Sequence, residues 1–585
     1  MINMDSSARI RVLSTPELLD NIFARCTRKA NVNFALVCRT WLGPAQDHIW
    51  RVVETPCQLF RVLAPVNCPG KAHQSNGHTI TRIPTKADWR RFKPIASRVR
   101  VLQVSSRSES KCRASITAVL SDIAVTRPPE GIFPNLQHVD LVSTNLPHAY
   151  ITLLLSPSLT SLNASMPPES TGHTLEDFLE DLAAGAPALT ALSLVASQSS
   201  GNRAKDYERA IGALPAQLPR LTVLKLPPYF VTSTVIEMFS TSRISALEFS
   251  ELRHSTDNAG NPRDVALLRP ELQEGAFPAL RRLSICGRLA DLHDLFSNQN
   301  FPAGSLSELV VRGIRSESEV DTRDLVNLVV ERCRLLTNFF LLMTPPASPV
   351  PVMGANPDDE NVVWVEDEDA EPLSIETIRA LANLHHLQRI SITHAQPLLI
   401  SDPDVLYMCS RLPGLRRLVL NPAPRTRGNI PTLTLLSMTH ISLYCPRIHS
   451  LALYANASAP VVYPKLVTPL PARMHLQLHA SPLSTPFRGS VIRFLSRILR
   501  PGTSLKSAIA PMADAGSPGS SIGSSSAWGW IVDRLPLVLE MREEERELAA
   551  TANVTKAGGP EIVEIEDDED DEGSPEGQQS QLQSV

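Results

Sequence analysis

The segment GSSIG, from Gly519 to Gly523, is the first short motif in this sequence whose residue types and spacing could support catalysis. It has the spacing of the Gly-x-Ser-x-Gly turn that presents a nucleophilic serine, and such a turn needs a strand before it and a helix after it. Here the pattern lies inside a Ser/Gly-rich stretch that is typical of a linker. We therefore expect no nucleophilic serine site at this position.

Two histidine pairs are the other candidates for chemistry. His475 and His479, in HLQLH, could share one face of a strand or helix, but no Glu follows at the spacing of a zinc protease helix. His385 and His386 are adjacent and precede a predicted strand, where we expect a solvated pair. Neither glycine-rich phosphate-binding pattern is present, and no cysteine has the context of a ligase nucleophile. The sequence predicts no catalytic residues, no metal and no cofactor.

A sequence pattern, apolar-x-x-apolar-x-apolar, is repeated from Val99 to the copy that begins at Ile448. Its last two apolar positions alternate as in a short strand. A single strand of this kind cannot bury its apolar face, so stacking of the copies in parallel is expected. Twelve copies begin at Val99, Leu136, Leu159, Leu189, Leu221, Ile244, Leu280, Leu306, Leu336, Leu387, Leu415 and Ile448.

Segments with helical spacing, such as TLEDFLEDLAAGAP, lie between the copies, which are mostly 23 to 37 residues apart. The fold class predicted for this region is α/β: an irregular leucine-rich-repeat-like solenoid with parallel strands on the concave face and helices outside. The predicted strand positions are mostly apolar, Ser, Arg or His without acidic partners, which disfavours an enzyme.

Three short helices are predicted for the opening segment. Thr15 and Pro16 begin the first; the second runs from near Asn31 to Trp41, where Gly43 and Pro44 break it; and a third short piece ends at Trp50. A unit of roughly forty residues is near the size below which a chain needs a partner to hold a core. Either another protein covers part of its apolar surface, or the helices only cap the solenoid.

The predicted organisation has eight parts: a disordered start (1–8), the three-helix unit (9–52), a linker or solenoid cap (53–95), the solenoid (96–480) with a disordered acidic insertion (344–372), a C-terminal cap (481–510), a low-complexity linker (511–527), a helix (528–550) and a disordered acidic tail (551–585).

The composition excludes several classes of partner. The net charge of −4 favours neither nucleic acid nor a membrane surface, and no stretch approaches the length of an apolar membrane span. The nine cysteines are scattered without a Cys-x-x-Cys pair, which favours reduced thiols. We expect a protein of the cytoplasm, the nucleus or both.

The opening segment resembles the F-box, the module that binds the Skp-type adaptor of cullin-based ubiquitin ligases. The matching residues are Leu13, Pro16, Glu17, Leu18, Leu19, Ile22 and Phe23, then ALVCRTW from Ala35 to Trp41, and IWR ending at Arg51. The departure is Ser14, where the family usually has proline. An F-box followed by leucine-rich repeats with irregular spacing resembles the F-box families of fungi.

This resemblance implies a non-catalytic substrate receptor, in which the F-box binds the adaptor and, through it, a cullin, while the repeats bind a protein target. The residues implied in adaptor contact are Pro16, Leu18, Leu19, Ile22, Leu36, Val37 and Trp41. Trp50 is instead expected to pack against the start of the solenoid. The alternative is a repeat-based interaction scaffold outside any ligase.

Two acidic segments resemble SUMO-interacting motifs, in which a short extended peptide adds a strand to the sheet of its partner. VVWVEDED contributes Val362, Val363 and Val365, and IVEIEDDED contributes Ile562, Val563 and Ile565. The alternative is that both are ordinary solvating acidic segments.

Overall fold

The structure is a computed structural model of the 585-residue chain. The residues that it describes are 12–67, 79–103, 116–142, 148–167, 174–196, 204–250, 260–315, 317–343, 370–425, 430–458, 464, 467–478, 480–505 and 527–557.

One parallel sheet of 15 strands runs through the described residues, and each strand pairs with the next sheet strand along the chain. The sheet is open, with its first and last strands at opposite ends. Its strands are β1 (Val52–Val53), β4 (Val101–Gln103), β5 (His138–Asp140), β6 (Ser161–Ser165), β7 (Ala191–Val195), β8 (Val223–Leu226), β9 (Ala246–Phe249), β10 (Arg282–Gly287), β11 (Glu308–Gly313), β12 (Asn338–Met343), β13 (Arg389–His394), β14 (Arg417–Leu420), β15 (Ser450–Leu453), β16 (His475–Gln477) and β17 (Ser504–Leu505). A separate antiparallel pair is formed by β2 (Val66–Asn67) and β3 (Thr79–Ile80).

All twelve predicted strands are present, and each begins two residues after the first apolar position of its pattern. That first position is buried in every copy, as Leu136 and Leu189 illustrate, because it packs beneath the turn into the strand. The strands pair in the register of the pattern, so that Leu162 lies opposite both Val139 and Leu192. The predicted α/β solenoid with one strand per repeat is therefore confirmed.

From α4 onward, helices cover one face of the sheet, and their apolar sides form a core with the inward side chains of the strands. The α-helices are α1 (Pro16–Ala24), α2 (Arg28–Phe34), α3 (Arg39–Arg51), α4 (Pro56–Leu63), α5 (Lys86–Ala96), α6 (Ile116–Ala124), α7 (His148–Thr152), α8 (Leu175–Gly185), α9 (Ala204–Gln217), α10 (Ser233–Ser240), α11 (Leu289–Ser297), α12 (Glu319–Arg332), α13 (Ile375–Arg379), α14 (Asp402–Arg411), α15 (Ser437–Tyr444), α16 (Arg488–Ile498) and α17 (Ala527–Ala557). Short 3₁₀ turns lie at Pro228–Phe230, Pro262–Val265, Ala303–Ser305, Ala380–Asn383 and Thr485–Phe487.

A row of hydroxyl groups joins neighbouring repeats at the edge where the strands begin. In six repeats a Thr or Ser follows the first apolar position, and its hydroxyl donates to the backbone carbonyl of the preceding repeat at 2.9–3.2 Å. These residues are Thr160, Thr190, Thr222, Ser245, Ser307 and Thr337. The hydroxyls add side-chain hydrogen bonds between neighbouring repeats to those that the backbone makes at this edge.

The sheet extends beyond the predicted solenoid at both ends. β1 pairs with β4, so the described residues of the predicted linker or solenoid cap, 53–67 and 79–95, lie between two paired strands of the sheet. β17 pairs with β16, so the predicted C-terminal cap also carries a strand. The sequence missed β16 and β17 because the first position of their pattern is Arg473 and Gly502, both with positive φ, instead of a buried apolar residue.

Three further boundaries differ from expectation. Gly43 and Pro44 lie inside α3 and do not break a helix; the break falls earlier, between the end of α2 at Phe34 and the start of α3 at Arg39. Ala370 is buried, so the last residues of the predicted insertion belong to the folded chain. Helix α17 runs over Ala527–Ala557, longer than predicted. The rest of the insertion, residues 1–11 and the tail from 558 lie outside the described residues.

Candidate protein-interaction surfaces

The three N-terminal helices enclose a small core of their own. Leu19 and Phe23 of α1 and Ala45 of α3 are fully buried together. Phe23 stacks on Phe34 with ring centroids 5.0 Å apart, and Trp41 meets Phe23 edge-on at 5.6 Å. This core is separate from that of the sheet, as expected for a unit that uses few residues.

Polar contacts hold the helices of this unit in place. Asn31 is buried, and its Nδ2 donates to the carbonyl of Phe23 at 3.1 Å. The indole Nε1 of Trp41 donates to the carbonyl of Leu13 at 2.9 Å, and His48 contacts Asp20 at 2.6 Å. Several apolar side chains of the unit take no part in its core and lie at the surface.

The seven residues implied in adaptor contact divide into three groups. Pro16, Leu18, Ile22, Leu36 and Val37 are exposed, with 81% of Leu36 and 60% of Val37 accessible to solvent. Trp41 is half-buried against the aromatic core.

Leu19 is the exception among the seven, because its exposed fraction is zero. It belongs to the core of the unit and supports the surface from beneath, so its assignment to a surface contact is corrected. Leu18 and Ile22, one turn apart on α1, remain exposed on the same face. The sequence reasoning missed the exposed Val32 and Leu42, whose helical positions alone do not show which side the core occupies.

The unit is joined to the sheet without a linker. Helix α3 ends at Arg51, and β1 begins at the next residue. Trp50 packs against the main core, as expected, and it precedes β1 by the same two residues as Val99 precedes β4. Arg98 forms an ion pair with Asp47 of α3 and donates to the carbonyl of Gly43 at 3.2 Å. The position of the helices relative to the first repeat is therefore set by direct contacts.

The face of the sheet that points away from the helical layer, the open face, carries alternate strand residues. Glu248 of β9 forms ion pairs with Lys225 of β8 at 2.8 Å and with Arg282 of β10 at 3.2 Å. The expectation that strand residues lack acidic partners is therefore wrong at these three repeats. Farther along, Asn338 donates to Glu308 at 2.8 Å. Polar side chains on the open face therefore pair with one another across neighbouring strands.

The buried thiols of the repeats are poor candidates for chemistry. Burial raises the pKa of Cys286 and that of Cys333 to about 12, so both thiols stay protonated near neutral pH. A hydrogen bond with Cys445 also raises the pKa of Cys409. Among the described residues, no group of His, Cys, Asp and Glu has a metal-binding arrangement.

Most of the remaining candidates from the sequence lie outside the described residues. His475 is exposed at the start of β16, whereas His479 lies outside the described residues. GSSIG and the two SUMO-like motifs, with Val362, Val363, Val365, Ile562, Val563 and Ile565, also lie outside them. Within the described residues, no helix has the length and apolar character needed to cross a membrane.

Comparison with known proteins gives structural likeness only. No family model matches the chain, and no curated protein matches it. Among solved structures, the Rad7 and Elc1 complex in yeast is similar over 63% of this chain and 80% of the matched chain, with 14% identity and a TM-score of 0.35. The leucine-rich-repeat-containing protein LegL7 from Legionella pneumophila is similar over 51% and 84%, with 15% identity and a TM-score of 0.26. An internalin from Listeria monocytogenes is similar over 61% and 77%, with 11% identity and a TM-score of 0.23. These scores are low, and the fold assignment rests on the strand register described above.

Proposed function

We propose that this chain is a non-catalytic substrate-recognition subunit of a Skp-cullin-F-box type ubiquitin ligase. The three-helix unit binds the Skp-type adaptor, and the open face of the repeats binds a protein target. The observation that carries the proposal is an undersized helical unit with exposed Leu18, Ile22, Leu36 and Val37, joined directly to a repeat sheet.

The proposed mechanism is positioning. The contacts between α3 and the first repeat hold the adaptor-binding face at a set orientation to the open face. A target on the open face is then held near the ubiquitin-charged enzyme that the cullin brings, and the gain in rate comes from proximity and orientation. The chain itself supplies no step of the transfer chemistry.

The test is co-purification of a Skp-type adaptor with the full chain. Leu18→Asp combined with Ile22→Asp is expected to abolish binding, because two charges replace apolar contacts while Leu19 and the core stay intact. The control, Val125→Asp with Leu267→Asp, changes two exposed apolar residues elsewhere and is expected to bind normally. Absence of the adaptor from the wild-type preparation, or equal binding by both variants, would contradict the proposal.

The second candidate function is an interaction scaffold outside any ligase. The packing of Trp50 against the core and the ion pair of Arg98 favour it, since both make the helices an integral cap of the sheet. Deletion of residues 1–52 does not separate the two functions, because it also removes Val52 of β1 and exposes the β4 edge. The surface variants above do separate them: a scaffold keeps its partners when Leu18 and Ile22 are changed.

We also propose that residues 362–365 or residues 562–565 bind SUMO. This proposal rests on the aliphatic-acidic pattern of both peptides. Titration of each peptide with SUMO tests it, and absence of binding by both would exclude it.

A further inference from the structure

A cavity of about 400 Å³ lies at the edge where the strands of the later repeats begin. His385 and His386 precede β13, Arg416 precedes β14 and Arg447 precedes β15, and all four side chains line this cavity. We call it the basic groove. It crosses several repeats, so no single repeat forms it.

The groove is bordered by further cations. Arg389 and Arg417 are directly opposite each other on β13 and β14, and both are exposed. Like charges in this position repel each other. Within the described part of the chain, neither these two arginines nor Arg416 and Arg447 form an ion pair. Glu308 is two strands away on β11 and accepts a hydrogen bond from Asn338. The groove therefore has an uncompensated positive charge.

The chain separates its charges strongly along the sequence. Residues 344–372 and 557–585 hold 18 acidic residues and no basic residue, so with a total of −4 the rest of the chain has a net charge of +14. Residues 566–572 are seven consecutive acids. The repeats and the tail thus have opposite charges within one molecule.

Helix α17, which precedes the tail, crosses to the edge where the groove lies. Near its start, Trp528 donates to the carbonyl of Ser481, which follows β16 at the carboxyl end of the strands. Farther along, Arg546 donates to the carbonyl of Arg497, near the end of α16, from which the chain continues into β17. Helix α17 therefore runs from the carboxyl-end edge of the sheet to the amino-end edge. The groove residues precede strands that are two to four places from β17, a distance of about 10–19 Å. Helix α17 continues for 11 residues beyond Arg546, about 16 Å, and twelve extended residues of the tail span up to about 40 Å.

We propose that the acidic tail, residues 561–572, binds the basic groove of the same chain and occupies it in competition with acidic segments of other proteins. The groove is at the opposite end of the chain from the three-helix unit, so this inference does not rest on the proposed adaptor binding.

Tethering makes weak contacts sufficient for this interaction. An exposed ion pair contributes only about 0–1 kcal/mol. The covalent tether, however, presents the tail at an effective concentration of about 1 mM, so a separate peptide with a Kd of about 0.1 mM would correspond to a groove that is mostly occupied. The interaction should weaken with salt, because exposed charges are screened.

The experiment uses a fluorescein-labelled peptide of residues 558–585 and measures its anisotropy with three forms of the full chain. In the first form, all acids in residues 566–572 are changed to the corresponding amides, which leaves the groove open. We expect this form to bind the peptide about tenfold more tightly than wild type, whose own tail competes. Adding Arg416→Gln and Arg447→Gln to the first form should remove that gain.

The matched control adds Arg220→Gln and Arg243→Gln to the first form instead. Both arginines are exposed, and each comes just before the first apolar position of its repeat, as Arg447 does. The control is expected to bind as tightly as the first form. Equal binding by wild type and the first form, or an equal loss in the groove and control variants, would overturn the proposal. The proposal would also be overturned if the weakening of peptide binding by the wild-type tail increased with protein concentration. The competing tail would then belong to a second copy of the chain.

Discussion

Leu18 and Leu19 are neighbours in the chain with opposite roles. Leu19 is fully buried against Phe23 and Ala45, whereas 42% of Leu18 is exposed. The apolar character of both residues is evident from the sequence, but their division between core and surface depends on where α3 packs. Substitutions at the two positions should therefore have different effects on stability and on binding.

Leu19→Ala is expected to lower the free energy of unfolding of the three-helix unit by about 2–5 kcal/mol, because it leaves a cavity in a closed core. Leu18→Ala is expected to change it by less than about 0.5 kcal/mol. Amide hydrogen exchange of peptides that cover α1, measured at increasing denaturant, gives both values for this unit. Equal effects of the two substitutions would show that the core is assigned wrongly.

Asp88 provides a pH-dependent contribution to the stability of the first repeat. Hydrogen bonds from Arg82, at 2.6 and 2.9 Å, and from Thr85 hold the pKa of this carboxyl well below its usual range. A group whose pKa is lower in the folded state stabilises the fold above its unfolded pKa, about 3.9, and this stabilisation is lost as the pH falls below that value. Asp88→Asn should therefore lower the denaturation midpoint at pH 7, and the difference from wild type should shrink below about pH 4. A difference that is the same at pH 7 and pH 3 would contradict this account, and Asp206→Asn is the control at an exposed site.

At the scale of elements, the stacking of repeats depends on more than the apolar pattern. The hydroxyl of Thr222 donates to the carbonyl of Thr190, which also accepts backbone N–H groups from Thr222 and Val223. The side-chain bond therefore strengthens a contact between repeats that the backbone already makes. Its contribution should be small but measurable at a single repeat boundary.

Thr222→Val is expected to cost about 0.5–1.5 kcal/mol, because one hydrogen bond is lost while the shape of the side chain is kept. Thr222→Ser keeps the hydroxyl and should cost less. Denaturation midpoints of the two variants measure the difference. A larger loss for Ser than for Val would mean that the methyl group, and not the hydroxyl, supports this boundary.

At the scale of the whole molecule, each repeat contacts mainly its neighbours, so stability is distributed along one dimension. The central strands β10 to β13 have six residues each, whereas β1 and β17 at the ends have two. Both ends are reinforced, by Trp50 at one and by Trp528 with α17 at the other. The ends nevertheless have a neighbouring strand on one side only.

We expect amide hydrogen exchange to slow from both ends of the sheet toward β10–β13, since local opening starts where the fewest contacts must break. Mass spectrometry of peptides covering β1, β11 and β17 measures this gradient. Uniform protection across the sheet would contradict the one-dimensional description.

The sequence by itself determined the twelve strands and their register, because the positions that pack a repeat lie within seven consecutive residues and need no distant partner. It also indicated three N-terminal helices, since spacing and capping are local. The tertiary structure decided that Leu19 is core, that Gly43 and Pro44 lie within a helix and that Trp50 begins the first repeat, because each depends on which elements pack together. The basic groove depends on the same cause: His386, Arg416 and Arg447 are about thirty residues apart along the chain, and only the stacking of repeats brings them to one edge.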